Sequence, residues 1–178
     1  MRIYTIGHST RPIDEFVELL KTNDVTQLID IRTIPKSRHN PQFAQDNLQQ
    51  TLPASDIEYR YMKNLGGLRP TSKDSINCEW RNKSFRGYAD YMQTPDFAQT
   101  IDELISYAAN KTTAIMCAEA VPWRCHRSLV GDALVVRDIE VIDMMSLTSN
   151  TPHTLTSFAA VDGTRVYYPP TGTSDTSK

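Results

Sequence analysis

The densest chemistry in this chain lies between Ala114 and Arg127, where the apolar run Ala114-Ile115-Met116-Cys117 gives way to a loop carrying Glu119, Arg124, Cys125, His126 and Arg127. Apolar residues return at helical spacing from Ser128 to Arg137, so this loop joins a strand to a helix. The unpaired N–H groups of a first helical turn point at such a loop and make it an anion receptor. Cys125 has the widest chemical range. A helix N-terminus together with Arg124, His126 and Arg127 favours the nucleophilic thiolate; the opposing reading is a structural thiol packed beneath the helix. His126 joins Cys125 as a candidate for the chemistry. Glu119 reads as a general base or as the carboxylate that holds Arg127, and His8 as a general acid/base or a hydrogen-bonding loop residue. The spacing does not match the loop of cysteine phosphatases, in which an Arg follows six positions after the Cys: Gly131 stands there for Cys125, and Trp123 for Cys117.

Arg32, Arg38 and Arg127 are the best anion ligands, because the guanidinium fork meets phosphate or carboxylate oxygens two at a time. Arg81 and Ser9 complete the expected substrate-binding set. A net charge of −2 argues against a generally basic nucleic-acid-binding protein. The charge is unevenly spread, however: Arg32, Lys36, Arg38 and His39 occur with no intervening acid, as do Arg60, Lys63 and Arg69. If these loops converge they form an anion-binding face; otherwise they are solvated surface charge. Cys117, Cys125, His126, His8 and His153 include suitable zinc ligands. Without a Cys-x-x-Cys pair or two His on one helical face, no metal site is assigned.

The elements that must position these residues alternate between strand and helix. Strands are expected at Ile3–Ile6, at Gln27–Arg32, around Glu58–Met62, at Thr113–Cys117 and at Val141–Met145. Helices are expected at Pro12–Lys21, Ala44–Leu52, Phe85–Met92, Pro95–Ala109 and Ser128–Arg137. The alternation predicts a single-domain α/β fold over residues 1–170: an open, mostly parallel sheet flanked by helices. Asp162-Gly163 marks a short C-terminal hairpin, and residues 171–178 read as a flexible tail. In an open α/β sheet ligands bind beyond the carboxyl ends of the strands. Gly7-His8-Ser9, Asp30-Ile31-Arg32 and Cys117-Ala118-Glu119 all fall at such ends, so one shared rim is the expected site. Asp30 itself reads mainly as a structural carboxylate that orients a loop or pairs with Arg.

Several of these segments together carry a resemblance. Tyr4-Thr5-Ile6-Gly7-His8-Ser9, the stretch from Asp30 to Arg38 with Asn40-Pro41-Gln42-Phe43, Leu65-Gly66-Gly67, Trp80-Arg81-Asn82 and Phe85-Arg86-Gly87-Tyr88-Ala89-Asp90-Tyr91-Met92 resemble the bacterial and archaeal family catalogued as domain of unknown function 488. The loop from Cys117 to Arg127 and the end Pro152-His153-Thr154-Leu155, with Asp162-Gly163 and Tyr168-Pro169, continue the likeness. The resemblance implies a single α/β domain whose polar strand ends form one site, and it brings no established activity. Two positions depart from the pattern: Asp143 stands where a His is expected in many relatives, and Cys78 where a small unreactive residue is expected. His153 is expected to brace the C-terminal segment over the sheet.

The residues thus point to an enzyme, a hydrolase or group transferase, acting on a small phosphorylated or anionic substrate such as a nucleotide. Cys125, His126, Glu119 and His8 would carry the chemistry, with Ser9, Arg32, Arg38, Arg81 and Arg127 binding the substrate. A Gly-x-Gly-x-x-Gly loop does not follow the first strand, which speaks against dinucleotide chemistry. The first alternative is a non-catalytic nucleic-acid or nucleotide-binding domain in which Trp80, Tyr88, Tyr91 and Trp123 stack on bases; the second is a zinc-binding protein. The chain has no membrane-length apolar run. Its Cys usage fits a reducing cytoplasm. Cofactor and oligomeric state cannot be read from it.

Overall fold

Short runs buried at successive positions leave neither side in water, so they belong in a sheet covered on both faces. In the computed structural model, which describes residues 1–172, these runs form β1 (Arg2–Gly7), β2 (Gln27–Asp30), β4 (Thr113–Cys117) and β5 (Glu140–Ser146), with β3 (Glu58–Tyr61) beside β2. The five lie parallel in the order β3-β2-β4-β1-β5, and β6 (Ser149–Pro152) adds an antiparallel edge against β5. A two-stranded hairpin, β7 (Ala160–Asp162) and β8 (Arg165–Tyr167), follows. The fold class expected from the alternation is therefore the observed one. No helix among the described residues is long and apolar enough to cross a membrane.

Five helices cover the sheet: α1 (Ile13–Thr22), α2 (Gln45–Ala54), α3 (Lys83–Tyr91), α4 (Pro95–Ala108) and α5 (Arg127–Val135). Phe16, Leu19 and Leu20 of α1 join Leu48 and Leu52 of α2 in one core against Ile6, Leu28 and Met116. Tyr88, Ile101, Leu104, Leu129 and Leu134 of the other three helices form a second core with Ile3, Ile29 and Ile115. The period-two alternation of the strands thus feeds opposite faces. Side-chain caps start α3 and α4: Asn82 Oδ1 accepts from the N–H groups of Ser84 and Phe85, and Thr94 Oγ1 from that of Phe97.

The connection from β1 passes over β4 to reach β2, whereas that from β4 passes over β1 to reach β5. The chain therefore leaves these neighbouring strands in opposite directions, which opens a crevice at their carboxyl ends. The two departing loops remain joined: the N–H of His8 donates to Cys117 O and that of Ser9 to Ala118 O, each at 2.9 Å. Only a glycine fits at position 7, since a Cβ there would lie 1.6 Å from the carbonyl oxygen of Glu119.

Two boundaries and one added strand depart from the sequence reading for a local reason. β2 stops at Asp30 because its carboxylate turns back to accept the N–H of Arg32 at 3.1 Å. α2 runs through Pro53 to Ala54, because a proline in the last turn forfeits few helical bonds while Leu52 stays buried. Strand β6 was not expected: Ser-Asn-Thr-Pro has no apolar alternation and pairs as a wholly exposed edge. Most of the tail expected at residues 171–178 lies outside the described residues.

A buried polar chain ties the C-terminal strands to α5. His153 Nε2 lies 2.8 Å from Asp132 Oδ1, and its Nδ1 lies 3.8 Å from Asp143 Oδ2. Tyr168 donates to Asp132 Oδ2 at 2.7 Å, and Thr5 donates to Asp143 Oδ1. Burial alone would lower the pKa of His153, but the hydrogen bonds and charges of the two aspartates outweigh it and raise it to about 9. His153 thus braces the C-terminal segment as expected. Removing it leaves two buried carboxylates without their cation, so His153→Ala is expected to lose ~3–5 kcal/mol of unfolding free energy in urea at pH 7. The folded pKa lies above the unfolded 6.5. The contribution of His153 is therefore full below pH 6.5 and disappears as pH rises through about 9; this alkaline loss should be absent from the variant's urea titrations.

Candidate functional site

The crevice between β1 and β4 opens into a cavity of about 440 Å³. A larger hollow of about 780 Å³ lies at the opposite end of the strands, where Arg2 and Glu140 pair with each other at 2.8 Å and no thiol or imidazole lines the wall. Chemistry therefore favours the smaller cavity. Its floor comes from Cys117, at the end of β4, and from Cys125 and His126, at the head of α5.

The structure pairs Cys117 with Cys125, sulfur to sulfur, with the Cα atoms 7.3 Å apart. Arg127 serves both. Its Nη1 donates to Cys117 Sγ at 2.8 Å, and its backbone N–H, the first of α5, donates to Cys125 Sγ at 3.4 Å. Both contacts favour negative charge on sulfur. The rest of the guanidinium holds the loop, with donations to Glu119 O at 2.6 Å, Ala120 O at 3.2 Å and Thr5 Oγ1 at 3.3 Å. Burial lowers the Arg127 pKa to about 10, opposed by Asp143 and Glu119, so the group stays charged at neutral pH.

His126 Nε2 lies 3.0 Å from Ile31 O, and its Nδ1 lies 3.6 Å from Cys125 Sγ. Since the carbonyl can only accept, Nε2 carries the proton and Nδ1 presents a lone pair to the thiol. Burial drives the His126 pKa down to about 4; the Ile31 and Leu65 carbonyls oppose this, and Arg127 and Arg69 add to it. The neutral form therefore predominates at pH 7. Gly67 makes room for the ring, because a Cβ there would stand 2.6 Å from Nδ1.

Lys36 and Arg124 bring two exposed cations to the cavity against one carboxylate, that of Glu119, and Arg32 lines the wall as one half of a buried ion pair. Asn82 and Ser84 place the start of α3 on the same wall. Arg32 is held from behind: Nε and Nη2 reach the two oxygens of Asp30 at 2.9 and 2.7 Å, and Nη1 lies 3.3 Å from His8 Nε2. Tyr59 also donates to Asp30, at 2.6 Å.

The expected site residues divide accordingly. Cys125, His126, Glu119 and Arg32 are brought together on the cavity wall. His8 belongs to the opposite face of the sheet, stacked on Phe43 with ring centroids 4.4 Å apart, with Nδ1 bonded to Ser9 O at 2.8 Å. Burial lowers its pKa to about 4, which the Ser9 carbonyl opposes and Arg32 reinforces. Ser9 is half-buried in the left-handed backbone region, φ 50°, with its N–H committed to Ala118 O. Arg127 lies beneath the floor at 1% exposure, while Arg38 and Arg81 are exposed and do not line the cavity. Asp30 has the structural role expected of it.

Lys36 and Arg124 are cavity cations that the sequence reading did not assign to the site. The density of basic residues around them was their available signal. Gly67 and Asn82 belong to segments that carry the family resemblance, which assigned them no role, and Ser84 offered no signal; only the fold brings the three to this cavity. Of the aromatics considered for stacking, Tyr88 is buried with its hydroxyl on Leu65 O, Tyr91 lies under the Arg69 guanidinium, and Trp80 packs on Phe85. Trp123 is 66% exposed. Among the described residues, no group of three or more His, Cys, Asp or Glu is placed to hold a metal ion.

A family model described as Domain of unknown function DUF488 matches residues 12–134, which run from the start of α1 through most of α5 and include the whole Cys117–Arg127 loop. No curated protein and no solved structure matches the chain.

His8 and His126 give the site an acid limit. Each has a folded pKa of about 4 against 6.5 unfolded. Their stabilising contribution is therefore present above pH 6.5 and lost as pH falls through about 4, at up to roughly 3 kcal/mol per group. His126→Gln retains a donor for Ile31 O but does not titrate. Urea unfolding between pH 7 and 4 should show a shallower acid loss in this variant than in the wild type; identical slopes would contradict the buried neutral imidazole.

Proposed function

We propose, starting from the fact that this chain belongs to the family described as Domain of unknown function DUF488, that it is an enzyme, a hydrolase or group transferase, acting on a small phosphorylated or otherwise anionic substrate. The observation that carries this reading is the position of Cys125 Sγ, 3.6 Å from the free Nδ1 of His126 and 3.4 Å from the first N–H of α5, on a cavity wall with a surplus of cations. Nucleophile, base and orienting acceptor then follow in the order Cys125, His126 and the Ile31 carbonyl, the arrangement that nucleophilic catalysis requires. Cys125 attacks the electrophilic centre of the substrate, and His126 takes the thiol proton.

Arg32, Lys36 and Arg124 hold the anionic group, with Arg32 the most ordered of the three. Arg127 is a positioning residue that keeps both sulfurs and the 117–120 carbonyls in place. Glu119 stands at the exposed rim, where it can orient a hydroxyl or an attacking water. Ile34 and Leu68 are exposed apolar residues on the same wall, which suits a substrate with a flat or apolar part beside its anion, such as a nucleotide. A reducing cytoplasm is the compartment proposed, because Cys125 must be a free thiol to react.

The reading is tested on reduced protein by thermal shift against nucleotides, sugar phosphates and inorganic phosphate, since a ligand of the folded state raises the melting temperature. Lys36→Ala and Arg124→Ala, both exposed, are each expected to weaken binding of the stabilising compound by about tenfold. Cys125→Ser should retain that binding but lose turnover by about 10³-fold or more. Full turnover in Cys125→Ser, or no stabilisation by any phosphorylated compound, defeats the proposal.

A further inference from the structure

We propose that Cys117 and Cys125 are a reversible dithiol–disulfide couple on the wall of this cavity, closed by a peroxide-class oxidant and opened by a small thiol. The couple goes beyond the reaction proposed above, because it requires no phosphorylated substrate. The two sulfurs come from different elements, the end of β4 and the head of α5, and touch across the loop that joins them. Their Cα separation of 7.3 Å is wider than the ~4.4–6.8 Å of ordinary disulfides. The structure pairs the two directly, and among the described residues Cys78 alone is a free cysteine.

The surroundings prepare each sulfur for a different part of the reaction. Cys117 receives a buried guanidinium N–H at 2.8 Å, which holds it as a thiolate beside its partner. Cys125 receives the α5 amide at 3.4 Å and faces the Nδ1 lone pair of His126 at 3.6 Å, which can accept its proton. Both cysteines are buried and both line the cavity, which is the side from which a molecule the size of a peroxide would approach them. Cys78 makes a contrast: it is exposed, and its thiol donates to Ser75 O at 3.1 Å.

In the oxidative direction the Cys125 thiolate attacks one peroxide oxygen, the O–O bond breaks, and hydroxide leaves and takes up a proton. Cys125 is now a sulfenic acid, oxidised by two electrons. The Cys117 thiolate attacks its sulfur, the S–O bond breaks, water leaves and the S–S bond forms. In sum, two thiols and one peroxide give one disulfide and two waters. In the reverse direction one small thiol attacks the disulfide to give a mixed disulfide; a second displaces it, leaving two protein thiols and one oxidised small-molecule disulfide. The closed form removes the Cys125 nucleophile and shifts the loop bearing Glu119 and Arg124, so the cavity is reshaped while it is closed.

The test uses reduced full-length protein, hydrogen peroxide, a maleimide quench and peptide mass spectrometry. Trypsin cuts after Arg124 and so separates the two cysteines unless they are bonded. Expected is the joint loss of maleimide at Cys117 and Cys125 with a cross-linked peptide pair in its place. The loss should run at least about tenfold faster than at Cys78 and be reversed by dithiothreitol. In Cys117→Ser, or in Cys117→Ala should the serine form not fold, Cys125 should instead accumulate as a sulfenic acid captured by dimedone. Faster oxidation of Cys78, or of Cys125 without a cross-link to Cys117, overturns the couple. A cross-link in protein that binds no phosphorylated compound upholds the couple and defeats the proposed function; binding without a cross-link does the reverse.

Discussion

The site depends on one buried cation. Arg127 is 1% exposed, and a guanidinium removed from water is tolerated only where its donors and its charge are both met. Three donors go to Glu119 O, Ala120 O and Cys117 Sγ, which fixes the loop between the two cysteines. A fourth reaches Thr5, whose hydroxyl passes the contact to Asp143. Asp143 in turn faces His153, and His153 faces Asp132 on α5 itself. Two cations and two carboxylates thus close a ring of charge that begins and ends on the helix supporting Cys125. The strand bearing Asp143 and the segment after β6 bearing His153 lie beyond the residues matched by the family model, yet they hold the matched loop in place.

The other face of the sheet contributes stiffness. Asp30 accepts from Arg32, Tyr59 and the Arg32 backbone, and His8 completes the enclosure with Phe43 stacked behind it. Arg32 lines the cavity wall while Nε, Nη1 and Nη2 are all held by this frame, so it is fixed in place before a ligand arrives. A cation anchored in this way loses little side-chain entropy on binding, whereas the exposed Lys36 and Arg124 must be ordered. The same anchoring explains why Arg32 is a poor choice for testing anion binding by deletion: its removal would leave Asp30, fully buried, without its partner.

Much of this fold could be read from the residues because apolar period and local turn chemistry agree. Thr113–Cys117 and Pro95–Ala108 are long, strongly patterned and flanked by clear breakers. The site was only half readable. The strand ends and the strand-to-helix loop pointed to Cys125, His126, Glu119 and Arg32, which the structure brings to one cavity wall, but residue type alone could not tell a guanidinium that faces a cavity from one that binds backbone. Arg127 belongs to the second kind, and only the packing of α5 on β4 and β5 reveals it. His8 and Cys117 both lie at strand ends, yet the alternation of β1 and β4 sends them to opposite faces. Asn82 and Ser84 reach the cavity through the path of the long connection from β3 to α3, which leaves no mark in local periodicity.

Under the proposed function, the low basicity of His126 and the attraction of the cavity for an anion have one electrostatic origin. Burial is the larger influence, but Arg127 and Arg69 also disfavour an imidazolium at this position. An anion seated among Arg32, Lys36 and Arg124 acts in the opposite sense, because it stabilises a positive charge forming on the ring. His126 therefore becomes a better proton acceptor when the cavity is filled than when it is empty. Proton transfer from Cys125 to His126 and occupation of the site by the anion are then coupled through one field.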